Sequence, residues 1–287
     1  MVFIYGSLVL LAFVTLYPFW NALAISFNAG FDTAKGGVTF WPRVFSLENY
    51  KVVLQDQRLL DAFFVTAART AVGTAGTTFF TAMFAYALSK RGLVGKKFYM
   101  IVCLITMYFS GGLIPSYLLI RELHLMNTFW VMVVPNLISV WNMIIFRTFF
   151  LQLPDGLEES AKIDGSNNFG IFFKIVLPVS GPVLATLALF TGVWHWNSWF
   201  DASIYITNQK LLPIQTLLSN IINSNLTADT AKFLKQTTVS MLDQQKAVTY
   251  KSLLMTTMVV STIPILAVYP FVQKYFAKGV LVGSLKE

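Results

Sequence analysis

Six apolar stretches recur along this 287-residue chain, at about 3–27, 62–88, 98–120, 128–150, 180–205 and 252–276. Crossing a hydrocarbon core of roughly 30 Å as a helix takes about 20 residues, and each stretch is long enough. In lipid every backbone amide needs an internal partner, so repeated runs of this length predict transmembrane helices. Composition agrees. Charged residues make up 12% of the chain and hydrophobic ones 56%, where a soluble domain carries about 25% charge. Too little charge is present to cover a water-facing surface. An ordinary soluble enzyme, a disordered chain and a secreted disulfide scaffold are excluded. The expected fold class is all-α integral membrane, with six transmembrane helices forming a single domain over 1–287. Cys103 is the one cysteine, and His124 and His195 are too few and too far apart for a His-based metal site. Neither a metal nor another cofactor is expected on this chain.

Loop charge predicts the orientation. Lys90, Arg91, Lys96 and Lys97 lie between the second and third spans with no acidic residue among them. Such clusters stay on the cytoplasmic side. Lys274, Lys278 and Lys286 place the C-terminal tail there too. Six spans put both termini on one side, and the two signals agree. The first span has no basic start and no small-residue cleavage site, so it reads as a retained span. The loops at about 28–61 and 206–251 are then outside. Lys210, Lys232, Lys235, Lys246 and Lys251 in the second of these weigh little, because long loops count less. The formal charge of +8 is read as this topology signal. No basic stripe with interleaved aromatics supports a nucleic-acid partner.

The loop at about 151–179 is therefore cytoplasmic. Pro154 ends the preceding helix. Asp155 can cap a new one, and Glu158 three residues on completes a capping-box-like pair. Glu158 and Glu159 fall in the first turn, where the helix dipole favours negative charge. Leu157 and Ala161 share a face. Gly165 suits the left-handed position that stops a helix. A short helix over about 156–164 is expected, followed by an apolar run from Phe169 to Val176. Pro178 and Pro182 then open the fifth span. Such a helix either connects two spans or docks into a groove on a cytoplasmic partner through Ser160, Ala161 and Gly165.

Glu159-Ser160-Ala161, three residues, Gly165, nine residues and Ile175-Val176-Leu177-Pro178 resemble the "EAA" motif. That motif belongs to permease subunits of binding-protein-dependent ATP-binding-cassette importers. Spacing matches throughout, and the one departure is Ser160 for the first alanine. Ile163-Asp164-Gly165, Tyr17-Pro18-Phe19, Ser110-Gly111-Gly112-Leu113-Ile114-Pro115, Trp196-Asn197-Ser198-Trp199 and the tail from Lys278 to Lys286 resemble the carbohydrate branch, so the likeness covers about residue 15 to the C-terminus.

The resemblance implies the type I importer permease fold, located in a bacterial inner membrane with both termini cytoplasmic. It makes the motif helix a coupling helix that seats in an ATPase cleft. Glu159, Ser160, Ala161 and Gly165 would be the contact, with Asp164 fixing the turn. Replacing Gly165 would cost roughly 1 kcal/mol or more. Implied partners are a second homologous permease, a dimer of ATPase subunits, an extracytoplasmic solute-binding protein and an oligosaccharide. ATP and Mg would sit on the ATPase subunits. In this chain Gly92-Leu-Val-Gly95-Lys96-Lys97 is the nearest P-loop lookalike and fails the pattern. A self-contained secondary transporter would show internal repeats and buried carboxylates. A membrane enzyme would need a convergent catalytic set. Neither signature is visible.

Polar groups inside spans usually face a bundle interior or cavity. The candidates for a substrate path are Asn136 and Asn142, then Trp194, His195, Trp196, Asn197, Trp199 and Asp201. The tryptophans either form an outer aromatic belt or stack on sugar rings, with Asn197 as donor and acceptor. Arg69 either snorkels outward or meets an anionic substrate or Asp201. Ala67, Ala68, Ala71, Ala75 and Gly76 suggest a close helix contact. A neutral oligosaccharide is the expected substrate, with an acidic one such as uronate oligomers as the alternative. The sequon at Asn225-Leu226-Thr227 reads as chance.

Overall fold

The computed structural model describes residues 2–224 and 248–284. The sequon at Asn225 and Lys232, Lys235, Lys246 and Lys286 lie outside them, as do the side chains of Lys274 and Lys278. In chain order the longer helices are α1 (Val2–Ser26), α2 (Glu48–Gln55), α3 (Gln57–Ser89), α4 (Lys96–Tyr108), α5 (Leu113–Glu122), α6 (Val140–Phe150), α7 (Asp155–Ile163), α8 (Gly181–Asn197), α9 (Phe200–Tyr205), α10 (Ile214–Ser224) and α11 (Tyr250–Ser284). Among the described residues no strand forms, and Asn28–Phe45 is an isolated bridge.

Among the described residues three helices are individually long and apolar enough to span a bilayer, at Phe3–Ser26, Gln57–Ser89 and Tyr250–Val268. The other three expected spans are not straight helices. Lys96–Tyr108 and Leu113–Glu122 meet at 115°, Phe129–Asn136 and Val140–Phe150 at 45°, and Asn168–Val179 and Gly181–Asn197 at 82°. Counting each bent pair as one span gives six.

Each break has a local cause. Gly112 adopts φ +86 and ψ 179, a conformation open essentially to glycine alone, so the 98–120 run cannot continue as one helix. Pro135 sits in a 3₁₀ turn where it donates no amide hydrogen, and Ser139 restarts the chain by capping α6, its side chain accepting from the Asn142 amide. Pro182 opens α8 as expected, but Pro178 does not. It closes the helix Asn168–Val179, just after a π-helical turn at Phe172–Val176. Widened turns of this kind accommodate an interrupted hydrogen-bond ladder. The fifth span also ends at Asn197, with Ser198 extended before α9.

The chain divides into two compact units, residues 1–64 with 212–266, and residues 65–211 with 267–287. In the first, the stretch after α1 is built on buried amides. Asn28 accepts from the Val44 amide and donates to Asp32, and Arg43 donates to the same carboxylate at 2.9 Å. The Asn28 hydrogen bond and then Arg43 hold the Asp32 carboxyl below its usual range. Asn49 donates to the carbonyls of Ser26 and Asn28, both at 2.9 Å, and accepts from the Ser252 hydroxyl at 2.8 Å. This loop is therefore folded, because each buried polar group has a partner.

In the second unit α3 packs on α8 and on the Asn136 turn. A Cβ on Gly73 would lie 2.5 Å from His195 Nε2, and Gly76 faces Leu137. Thr77 donates to the Asn136 carbonyl at 2.8 Å, and Asn142 donates to the Thr191 hydroxyl at 3.1 Å. Close packing was expected from small residues, but Gly73 makes the tightest approach, while Ala68, Ala71 and Ala75 are exposed. Gly73→Val forces its branched side chain into the buried imidazole. It is expected to cost about 1–3 kcal/mol by overpacking, read as a lower unfolding temperature of the purified chain. An unchanged transition would show that α8 yields freely.

Candidate functional site

The cytoplasmic loop folds as α7, Asp155–Ile163, within a residue or so of the expected 156–164. Its stop follows the sequence reading. Gly165 has φ +80. The Gly165 amide donates to the Lys162 carbonyl at 3.0 Å and the Ser166 amide to the Ala161 carbonyl at 2.9 Å. These two bonds are the pair that defines a Schellman stop. Asp164 contributes its backbone amide, which donates to the Ser160 carbonyl at 3.0 Å.

The start differs from expectation. Pro154 is the N-cap and no side chain caps the helix. Asp155 pairs instead with Arg91 at 2.9 Å, and Glu158 pairs with Lys90. Two cations at the end of α3 attract the carboxylates more strongly than the neutral amides of the first turn, so the capping box is not made. The Lys90 ammonium also lies over the Tyr86 ring, 3.7 Å from its centroid. Burial pushes Lys90 below the usual lysine range, and the hydrogen bond to Glu158 opposes that shift.

The expected contact residues divide between two faces. Ala161 is only 6% exposed and packs into the same core as Phe146, Ile171 and Phe172. Its side chain seats α7 on the protein rather than facing outward. Glu159, Ser160, Asp164 and Gly165 are exposed. Ile163 is 87% exposed, and sequence reading missed it. Its clue was an apolar side chain two places from Ala161, a spacing that puts the two on different sides of a helix. A cavity of about 890 Å³ adjoins α7, lined by Met83, Tyr86, Lys90, Glu158, Lys162 and Phe172.

The second candidate group lies around the end of α8. Arg69 is fully buried and pairs with Asp201, and it donates to the Ser198 carbonyl at 3.0 Å. It neither snorkels nor remains available to an anionic substrate. Asp201 also accepts from the Ala202 amide at 2.8 Å. Of the path candidates, Trp194, Asn197 and Trp199 are exposed, and Asn136 is half-buried with its carbonyl accepting from Thr77. Trp196, Asn142 and His195 are buried within the chain. Trp196 and Asn142 therefore do not line an open surface. Burial of Asn142 follows from its bond to Thr191, which uses the amide inside the helix packing. Asn197 donates back to the Val193 carbonyl at 2.8 Å.

Helix α7 is thus stopped by glycine and tethered by two ion pairs, in a chain whose apolar helices are long enough, singly or as bent pairs, to cross a membrane. Comparison with known proteins agrees. Residues 77–282 match the family model described as binding-protein-dependent transport system inner membrane component, and the chain belongs to that family. It is the permease subunit of an ATP-binding-cassette importer, with the type I permease fold. The family works with a second permease, an ATPase and a binding protein.

Among its relatives, the polygalacturonan/rhamnogalacturonan transport system permease protein YtcP of Bacillus subtilis is 38% identical over 99% of this chain and 96% of its own length. Protein LplC of Bacillus subtilis is 40% identical over 95% of this chain and 90% of its own. The arabinooligosaccharides transport system permease protein AraQ of Halalkalibacterium halodurans is 27% identical over 96% and 93%. A crystal structure of a bacterial ABC transporter involved in the import of the acidic polysaccharide alginate has a chain that superposes with a TM-score of 0.86. It is 28% identical, and the match covers 96% of this chain and 95% of that one.

Proposed function

We propose that this chain is one of two unlike permeases in an importer of acidic, uronate-containing oligosaccharides. The observation that carries the transport role is α7 itself, a rigid helix with an exposed rim of Glu159, Ser160 and Ile163 and a seated face at Ala161. A helix held on one side and open on the other can take a push from a docked partner. The substrate class rests on relatives whose names specify polygalacturonan and rhamnogalacturonan, and on a structural neighbour involved in alginate import. The arabinooligosaccharide relative is less similar, at 27% identity. This reading replaces the neutral sugar expected from sequence. It does not draw on Arg69, whose charge is spent on Asp201.

The chain acts as one permease domain and catalyses no reaction. ATP and Mg are held by the ATPase dimer that docks against α7. The basic turn at Lys90–Lys97 and α7 face the cytoplasm, both termini lie on that side, and the loops following α1 and α9 face outward. There an extracytoplasmic binding protein delivers the sugar. Non-helical backbone at membrane depth is tolerated only where protein or a water-filled cavity covers it. The break at Phe109–Gly112, exposed along its length, lines the path, and exposed Trp194 and Trp199 offer ring faces to sugar. The chain would be co-expressed with its second permease and ATPase and reconstituted with the binding protein. Oligogalacturonates are expected to stimulate ATP hydrolysis, and neutral arabino-oligosaccharides are not. The reverse preference would overturn the acidic assignment, and the absence of a bound ATPase would overturn the permease role.

A further inference from the structure

The basic cluster at 90–97, first read as a topology signal, has a second role at the inner end of α3. A helix ends with carbonyls that have no partner within it, and cations are favourable there. Arg147 donates to the Leu88 carbonyl at 3.1 Å, and Lys96 donates to the carbonyls of Ser89 and Lys90, both at 3.4 Å. The C-terminus of α3 is thus fixed to α6 and to the start of α4. Lys90 is free of that capping role. Its ammonium lies over the Tyr86 ring and meets Glu158 on α7. Both side chains are about three-quarters buried, at 23% and 24% exposure. Arg91–Asp155 runs beside them but is open to solvent at 83% and 63%, where an ion pair contributes little.

From its inner end α3 continues unbroken to Gln57. Arg69 lies 21 residues before Lys90, roughly 31 Å along a helix, and holds Asp201 and the turn carrying Trp199. One helix therefore meets α7 just past its inner end and, at Arg69 along its length, the Ser198–Asp201 turn.

We propose that Lys90 and Glu158 form a clamp between α7 and α3, so that displacement of α7 by the ATPase is passed along α3 to the turn at Ser198–Asp201. The clamp rests on the reading of α7 as the coupling helix. Neither clamp residue belongs to the exposed rim that meets the ATPase, so the two readings can be tested apart.

The test uses the complete reconstituted assembly, with wild type, Lys90→Glu, Glu158→Lys, the double exchange and Glu158→Gln. Two quantities are read, the ATPase recovered with the permeases and the stimulation of hydrolysis by sugar-loaded binding protein. Each charge reversal is expected to retain the ATPase and lose stimulation about tenfold, and the double exchange to recover to within about threefold, as for directly coupled residues. Glu158→Gln keeps the size of the side chain and is expected to lose stimulation several-fold. Wild-type stimulation in Glu158→Gln overturns the clamp even where the reversed chains fail to assemble. So does a double exchange no better than either single variant. A wild-type assembly that recovers no ATPase overturns the coupling-helix reading, and the clamp with it.

Discussion

Arg69→Leu is expected to destabilise the folded chain by about 3–5 kcal/mol, the cost of leaving one member of a buried ion pair alone. Arg69 has no solvent exposure, and its partner Asp201 is 17% exposed. The substitution strands the Asp201 carboxylate and removes the donor to the Ser198 carbonyl. The paired variant Arg69→Leu with Asp201→Leu removes both charges and is expected to recover most of the loss, since apolar replacements of such pairs are often near neutral. Thermal unfolding of the purified chain, followed by size-exclusion chromatography after heating, reads both variants. An Arg69→Leu chain as stable as wild type would mean that water reaches this pair. The same loss in single and double variants would assign the effect to lost packing around the long arginine stem.

Gly165→Val is expected to cost transport about tenfold while leaving the chain folded. A side chain at this position meets nothing within 4 Å, so sterics against neighbours are not the cause. The cost is conformational. Gly165 holds φ +80, and a left-handed backbone costs an ordinary L-residue about 1–2 kcal/mol. Relaxing that strain breaks the bonds from the Gly165 and Ser166 amides that stop α7, and it reorients the exposed rim. Gly165→Asn is the control, because asparagine visits the left-handed region more readily. It is expected to retain most transport. Sugar uptake into vesicles containing the full assembly checks both. Equal uptake by the Val and Asn variants would separate transport from the geometry of this turn.

Much of this was legible in the sequence because it depends on short spacings. The first, second and sixth spans need only length and hydropathy, and the structure returns them at Val2–Ser26, Gln57–Ser89 and Tyr250–Ser284. Helix α7 and its stop come from Pro154 and Gly165, nearest-neighbour features whose effect does not depend on the rest of the fold. The bends in the third and fourth spans were missed because a hydropathy window averages over Gly112 and Pro135 without weighing their backbone preferences. The capping box failed for a different reason. Asp155 and Glu158 had competing cations at Arg91 and Lys90, more than sixty residues earlier in the chain, and spacing within the loop carries no trace of them. Arg69 shows the same limit. Asp201 was among its possible partners, but only packing decides between a buried pair and a snorkelled cation. Ala161 was expected to meet the ATPase because it is small, but in this chain its side chain packs into its own core, a burial that spacing within the loop does not reveal.

The central claim is that the exposed rim of α7 meets the ATPase. Its most direct test is site-specific photo-cross-linking in the assembled transporter. Cys103 is buried, so a photoreactive maleimide placed on an introduced thiol has little native competition. Labels at Ser160→Cys and Ile163→Cys are expected to capture the ATPase subunit, with no capture from Asn208→Cys, an exposed position assigned to the opposite side of the membrane. Capture of the ATPase from Asn208→Cys, or from neither position on α7, would contradict the account.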